Sequence, residues 1–347
     1  MTTPDKIYDV LVVGGGPAGL SAAIWLGRYL HSVALVDSGD PRNWETRGVN
    51  GYLGLPGVRP AELRAAGRAE ARRYDVELID GFAVCATKEG DERFVIDYDP
   101  IETTKATEGR RGPGTPRAPD DNEPRATTRR LVGRRLFLAI GLKDVWPSPR
   151  IEGFEEVYGD RAHVCPDCDG YETRGKKTVV IGKGRKAVGL ALALSNWTED
   201  ITVCTHGQDC ELDDYLAGKL ATLGIPVIAE EIARINFRDG TMRSLHFADG
   251  STLGCEKIFF SIGQYPADDL GAQLGCERNE DGHVVTDRVG HTSVYNVFAG
   301  GDYNGGSQLA ITAAGEGAVS ALAIHRSLLP EERKLDKRVK QEMTSEE

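Results

Sequence analysis

Two kinds of apolar pattern alternate along the chain. Residues 8–13 (YDVLVV) and 33–36 (VALV) are short apolar runs, the mark of strands buried on both faces. Between them, residues 20–29 (LSAAIWLGRY) carry small and apolar side chains at helical spacing. The turn GGGPAG at 14–19 joins the first run to the helix, and Asp37 closes the second run. Strand, glycine turn, helix and strand in that order predict one βαβ unit with a parallel strand pair. The layout recurs from Lys177 as TVVIG, GKGRKA, VGLALALSNW and ITVCT. Two copies of one nucleotide-binding plan predict an α/β protein with two doubly wound, Rossmann-like domains.

Between the copies, residues 76–140 read as a meander of strands, VELIDGFAVCAT, RFVIDY and RRLFLAIG. Inside it, 100–130 has almost no large apolar residue, so it predicts a mobile loop grown from a hairpin tip. A basic docking arm is disfavoured there, because Asp120, Asp121 and Glu123 offset much of the arginine. Beyond Glu277, the runs HVVTD and VFAGGD and a small-residue helix over 309–328 predict a return to the first domain. The expected division is a discontinuous first domain of 1–152 and 276–330, a central domain of 153–275, and a charged, solvated helical tail over 331–347.

Length and charge narrow the function classes. At 347 residues the chain suits two modules, and a net charge of -11 argues against a nucleic-acid partner, which requires concentrated Lys and Arg. The one apolar start, VLVVGGGPAGLSAAIWLG, is broken by glycines and flanked by Asp5, Lys6 and Asp9, a poor membrane span or signal core. A cytoplasmic protein without a membrane partner is expected. Of seven cysteines, Cys85, Cys204, Cys210, Cys255 and Cys276 are scattered and read as free thiols. Only Cys165 and Cys168, in CPDCDG, have a meaningful spacing.

In GGGPAG, Gly14 serves the turn, Gly16 the close approach of a pyrophosphate and Gly19 helix packing, while the helix from Pro17 aims its first N–H groups at the phosphates. Asp37, closing the next strand, is placed for ribose hydroxyls. The CxxC pair has two readings, half of a zinc site or a redox dithiol. No second ligand pair stands at zinc spacing, since Cys204 and Cys210 are too far apart for that knuckle; no metal is expected.

Together with LAIG at 138–141, SIG at 261–263 and GGD ahead of TAAGEGA, these motifs give residues 5–328 a pattern that resembles the low-molecular-weight thioredoxin reductases, FAD-dependent pyridine nucleotide-disulfide oxidoreductases. The resemblance implies FAD at the first turn, on Gly14, Gly16, Pro17, Ala18, Gly19, Asp37, Asn50, Ala139, Gly141, Gly301, Asp302, Gln308, Leu309 and Ala310. Asp302 would accept hydrogen bonds from the ribityl or phosphate region, and the amides of 308–310 would turn positive dipole to the flavin ring. It further implies that Cys168 faces the flavin, Cys165 exchanges with an external disulfide, Asp169 handles the proton, the partner is thioredoxin-like, and the enzyme is a homodimer.

The second turn departs from that family. GKGRKA keeps Gly182, Gly184 and Ala187, but Arg185 and Lys186 replace the usual acid and hydroxyl residue. Where the family carries a His-Arg-Arg run for the 2′-phosphate of NADPH, this chain has Thr205, His206 and Gly207. NADPH specificity is not supported, and either a weak site or a scaffold is expected. Branches of the family without this site take electrons from ferredoxin or another donor, hold a second flavin, or oxidise small dithiols with oxygen; DSGDPRN and GYLGLPG resemble those branches. The direction of electron flow stays open, and a flavin redox sensor is the non-enzymatic alternative. Asp169, which a sensor does not need, favours catalysis.

Overall fold

The computed structural model describes residues 6–101 and 128–334. Most of the loop expected over 100–130 therefore lies outside the described residues. Its flanks correct the expected bounds: Pro100 ends strand Arg93–Pro100, and Arg129 opens strand Arg129–Leu138. The start of the expected tail helix is corrected too. Glu331–Arg333 is one 3₁₀ turn, because Leu329 is extended ahead of Pro330 and the long helix cannot continue; 335–347 lie outside the described residues.

Both expected βαβ units are present. Ile7–Val13 lies parallel between Val33–Asp37 and Arg129–Leu138, joined to the former through helix Pro17–Arg28. Every residue of Val33–Asp37 is buried, as an unbroken apolar run demands. The stretch 77–90 is one long strand, Glu77–Gly90, that pairs parallel with Val33–Asp37 at its start and antiparallel with Arg93–Pro100 beyond. Arg93–Pro100 in turn pairs antiparallel with Arg129–Leu138, so these strands ring a core that includes Leu11, Phe94, Ile96, Leu136 and Tyr303. Strand Val297–Ala299 returns to the free side of Arg129–Leu138, and helix Ala310–Leu328 packs on Pro17–Arg28 through Ala18, Ala22, Ala321 and Ile324. The two helices approach closely: a Cβ on Gly317 would stand 2.1 Å from the Ala18 carbonyl oxygen.

The second unit is a five-stranded parallel sheet in the order Val227–Ile228, Ile201–Cys204, Thr178–Gly182, Lys257–Ser261, Ala162–His163. Helix Gly184–Leu194 covers one face and a three-stranded antiparallel layer over 232–254 the other. Both chain crossings between units run through one antiparallel ribbon, Leu142–Asp144 against Gln264–Pro266. The architecture is α/β with two Rossmann-like units, the first discontinuous. Among the described residues no helix is long and apolar enough to cross a membrane.

Candidate active site

Helix Pro17–Arg28 starts without a side-chain cap and without an acid in its first turn, which leaves its leading N–H groups for an anion. Gly14 has φ +102°, and a Cβ there would meet the Ala139 carbonyl oxygen at 2.2 Å. One on Gly19 would stand 1.9 Å from the Gly14 carbonyl oxygen, whereas nothing lies within 4 Å of the Cβ position on Gly16. Packing thus demands two of the glycines, and the third opens onto space for a phosphate. Asp37 is buried, with Gly39 N–H on one oxygen at 3.1 Å. Its other oxygen accepts from Arg64 Nε at 2.9 Å and Arg68 at 3.2 Å, and Arg68 reaches on to Asp80 at 2.8 Å. The two arginines stand four residues apart on helix Pro60–Arg72 and so share a face, the one sequence signal that could have found them.

The cofactor residues expected at the other end of the first unit, Asp302 and Gln308, gather on Arg42, from DSGDPRN. Its guanidinium donates to both oxygens of Asp144, at 2.7 and 2.8 Å, to Asp302 at 3.2 Å and to Gln308 Oε1 at 2.5 Å. Burial opposes the Arg42 charge, but the Asp144 and Asp302 carboxylates outweigh it and raise its pKa above the ordinary value. Gln264 donates to Asp144 at 3.1 Å and exchanges amide bonds with Gln308 at 3.0 and 2.8 Å. Asp302 sits in the 3₁₀ turn Gly301–Asn304, where Glu316 accepts from the Gly301 N–H at 2.8 Å. Helix Ala310–Leu328, like the first helix, begins without a side-chain cap or an acid, so its first-turn amides ahead of Ala313 are uncapped. Ala139 N–H bonds Val13 at 2.8 Å, and Gly141 has φ +74°, which brings 138–141 beside the first turn. The open Gly16 cradle and two uncapped helix starts, at Pro17 and Ala310, fit the pyrophosphate and ring of FAD.

Cys165 and Cys168 are joined as a disulfide across the short helix Pro166–Asp169, Cα atoms 5.3 Å apart. Cys165 Sγ accepts the Cys168 N–H at 3.1 Å. Asn50, assigned by resemblance to the cofactor, spends its amide on the Cys168 carbonyl at 3.0 Å and so ties the first unit to the dithiol turn. Gly170 is sterically required: a Cβ would meet Pro166 O at 2.5 Å and the Trp197 ring at 2.6 Å. Asp169 Oδ2 lies 3.3 Å from Nδ1 of buried His163, whose Nε2 meets Lys257 Nζ at 3.0 Å. Lys257 also donates to the Asp160 carbonyl at 2.9 Å, and burial lowers its pKa. His163 stands out in the sequence only as a neighbour of the CxxC; nothing there marks Lys257. A cavity of about 270 Å³ is lined by Asp144 and Gln264 of the Arg42 cluster, by Val164 next to the dithiol turn, and by Lys186, Ser261, Gly263, Asp281 and His283.

The second turn is closed. Gly184 N–H, at the position matching Gly16, donates to the Cys210 carbonyl at 2.9 Å, and the Cβ position on Gly184 is 3.4 Å from Glu211 Oε2. Glu211 pairs with Lys183 at 2.8 Å, which draws the 207–211 segment over the turn. Thr205 Oγ1 donates to the Gln208 carbonyl at 2.6 Å. His206 is 2% exposed and turned inward: Nδ1 accepts from Ile232 N–H at 3.0 Å, leaving Nε2 to donate to the Pro149 carbonyl at 2.7 Å. Gly182 and Ala187 pack against each other and the Ser261 carbonyl, while Arg185 and Lys186 are exposed, Lys186 within 3.9 Å of Asp281.

Comparison with known proteins matches residues 8–317 to the family model described as pyridine nucleotide-disulphide oxidoreductase. Among curated relatives, the thioredoxin reductase tcpT of Claviceps purpurea (strain 20.1) is 28% identical over 86% of this chain and 87% of its own. The thioredoxin reductase of Bacillus subtilis (strain 168) is 25% identical, covering 92% and 94%. Among solved structures, that of HlmI superposes with a TM-score of 0.80 at 32% identity, covering 94% of each chain.

Proposed function

The chain belongs to the pyridine nucleotide-disulphide oxidoreductase family as a thioredoxin-reductase-like, flavin-dependent disulfide oxidoreductase, and on that premise we propose that it exchanges electrons between FAD and an external disulfide or dithiol through Cys165 and Cys168, without drawing them from NADPH. One observation carries the donor assignment: the Gly184 amide, which a nicotinamide dinucleotide needs for its pyrophosphate, is already bonded to Cys210 under the Glu211 side chain. The missing guanidinium at 205–207 argues the same way, because a 2′-phosphate has no charge-assisted partner there. The closure bears equally against a second flavin in that unit.

Bound FAD would supply a two-electron store, held by Gly14, Gly16, Pro17, Ala18, Gly19, Asp37, Ala139, Gly141, Gly301, Asp302, Gln308, Leu309 and Ala310. Asn50 contributes through the dithiol turn, holding the Cys168 backbone against the first unit; this supports Cys168 as the inward sulfur. Cys165 is then the outward one. The Cys168 N–H on its sulfur favours a Cys165 thiolate once the pair is reduced, and a thiolate is the form that attacks a partner disulfide. Closing the disulfide releases the thiol protons, and Asp169, next to Cys168, accepts one. The outside partner is a thioredoxin-like protein or a small dithiol, the donor a ferredoxin-type carrier or the dithiol itself, and the working form a cytoplasmic homodimer.

Anaerobic mixing with NADPH, NADH, dithiothreitol and reduced ferredoxin in turn, followed by flavin absorbance, tests this reading. The dithiol or ferredoxin bleaches the flavin and the two pyridine nucleotides leave it oxidised; rapid bleaching by NADPH sinks the donor assignment.

A further inference from the structure

From the dithiol turn, a line of three side chains runs into the central sheet: Asp169, His163 and Lys257. Lys257 opens strand Lys257–Ser261, and His163 closes the parallel neighbour Ala162–His163, with Phe259 opposite His163 in register. That register carries the lysine chain forward along the strand to the imidazole, where the Asp160 carbonyl anchors its ammonium. A lysine ammonium has donors only, so His163 Nε2 must accept. The proton of a neutral ring then sits on Nδ1, the atom 3.3 Å from Asp169 Oδ2.

We propose that Lys257 is a positioning residue for the thiol chemistry, fixing His163 as its Nδ1–H tautomer so that the ring turns a proton toward Asp169 and holds that carboxylate beside Cys168. The proposal rests on the reading of Cys165 and Cys168 as the working dithiol. With Nδ1–H facing Oδ2, Asp169 keeps its other oxygen for the incoming proton. The Cys168 S–H bond breaks, the electron pair stays on sulfur, and the proton forms the Asp169 carboxylic acid; the reverse step protonates a departing Cys168 thiolate. The charged groups about Lys257 come from several elements: Asp169, Asp160 and Glu172 favour its ammonium, and Arg161 opposes it. Burial outweighs them and draws its pKa down, but the amine retains N–H bonds to give after losing its charge.

Isotope-labelled histidine nitrogens, read by NMR in the wild-type protein and assigned with His163→Gln, report the tautomer directly. Wild type shows Nδ1 protonated and Nε2 bare, and Lys257→Met moves the proton to Nε2. Reduction of the Cys165–Cys168 disulfide by dithiothreitol, followed across pH, slows about tenfold in Lys257→Met, below the full worth of a proton-transfer group, and recovers in Lys257→Arg. A wild-type ring protonated on Nε2 overturns the proposal even if Lys257→Met fails to fold. So does an unchanged tautomer in Lys257→Met, or a changed tautomer with an unchanged rate. Cys168→Ser separates the two readings: full turnover in that variant defeats the dithiol assignment itself, whereas its loss beside an unmoved tautomer defeats only the role of Lys257.

Discussion

Gly16 and Gly184 occupy matching places in two copies of one plan, each where a helix begins after a buried parallel strand. Above Gly16 there is open space and the helix start is uncapped. Over Gly184 lie the Cys210 carbonyl and the Glu211 side chain, both from the loop after the next strand. The acids differ as well: the first copy closes its second strand with Asp37, and the second follows the same strand with Thr205 and an inward His206. A glycine fingerprint therefore reports how the backbone turns. Whether the amides remain available is decided by a loop more than twenty residues downstream.

Substitution of the glycines tests that contrast most severely. Gly14→Val places a branched side chain at φ +102° against the Ala139 carbonyl, and the purified protein is expected to be colourless, with less than about a tenth of the wild-type flavin absorbance. Gly184→Ala, at φ +56°, costs about 1 kcal/mol of strain and keeps its flavin. Loss of flavin from Gly184→Ala would break the comparison. Ligand addition gives the next effect. Saturating FAD at about a thousand times its Kd stabilises stripped protein by about 4 kcal/mol, seen as a raised Tm, while NADPH at the same concentration leaves Tm within error.

Asp37→Asn removes the charge from a carboxylate shared with Arg64 and Arg68, and weakens FAD binding about tenfold by equilibrium titration. An unaltered affinity would mean that the arginines, and not a ribose, are the whole business of Asp37. The smallest effect belongs to Glu211→Ala. Its partner Lys183 is well exposed, so stability changes by less than about 1 kcal/mol, and calorimetry finds at most weak NADPH binding because the Cys210 carbonyl stays on the Gly184 amide. Tight binding in that variant would assign the closure to Glu211 alone.

Much of the fold is legible in the sequence because βαβ units announce themselves locally: an unbroken apolar run, glycines at fixed offsets, a small-residue helix, a closing acid. The dithiol is legible for the same reason, since its spacing is contained within one turn. What fails to show is whatever depends on segments meeting in space. Arg42 reaches Asp144 and Asp302 across more than a hundred residues, and Lys257 reaches His163 across a strand register. Asn50 illustrates the intermediate case, a residue assigned to the cofactor whose amide is bonded to the backbone of Cys168. The start of the tail shows a simpler case: alternating charge reads as a solvated helix, but Glu331–Arg333 after Pro330 form a 3₁₀ turn.

The return of Val297–Ala299 to the first sheet imposes an order on biosynthesis. As the chain leaves the ribosome, residues 7–138 emerge first, yet they lack both that strand and the helix Ala310–Leu328 that covers Ala22 and Leu26. The parallel sheet spanning 162–261 is complete in the meantime. A nascent chain halted at Gly290 would thus carry a finished central module beside an unfinished one with an uncovered apolar helix face, a natural client for a chaperone. On the flavin site proposed above, Asp302 and the Ala310 helix start emerge only after the central module, so bound flavin would not template what precedes them.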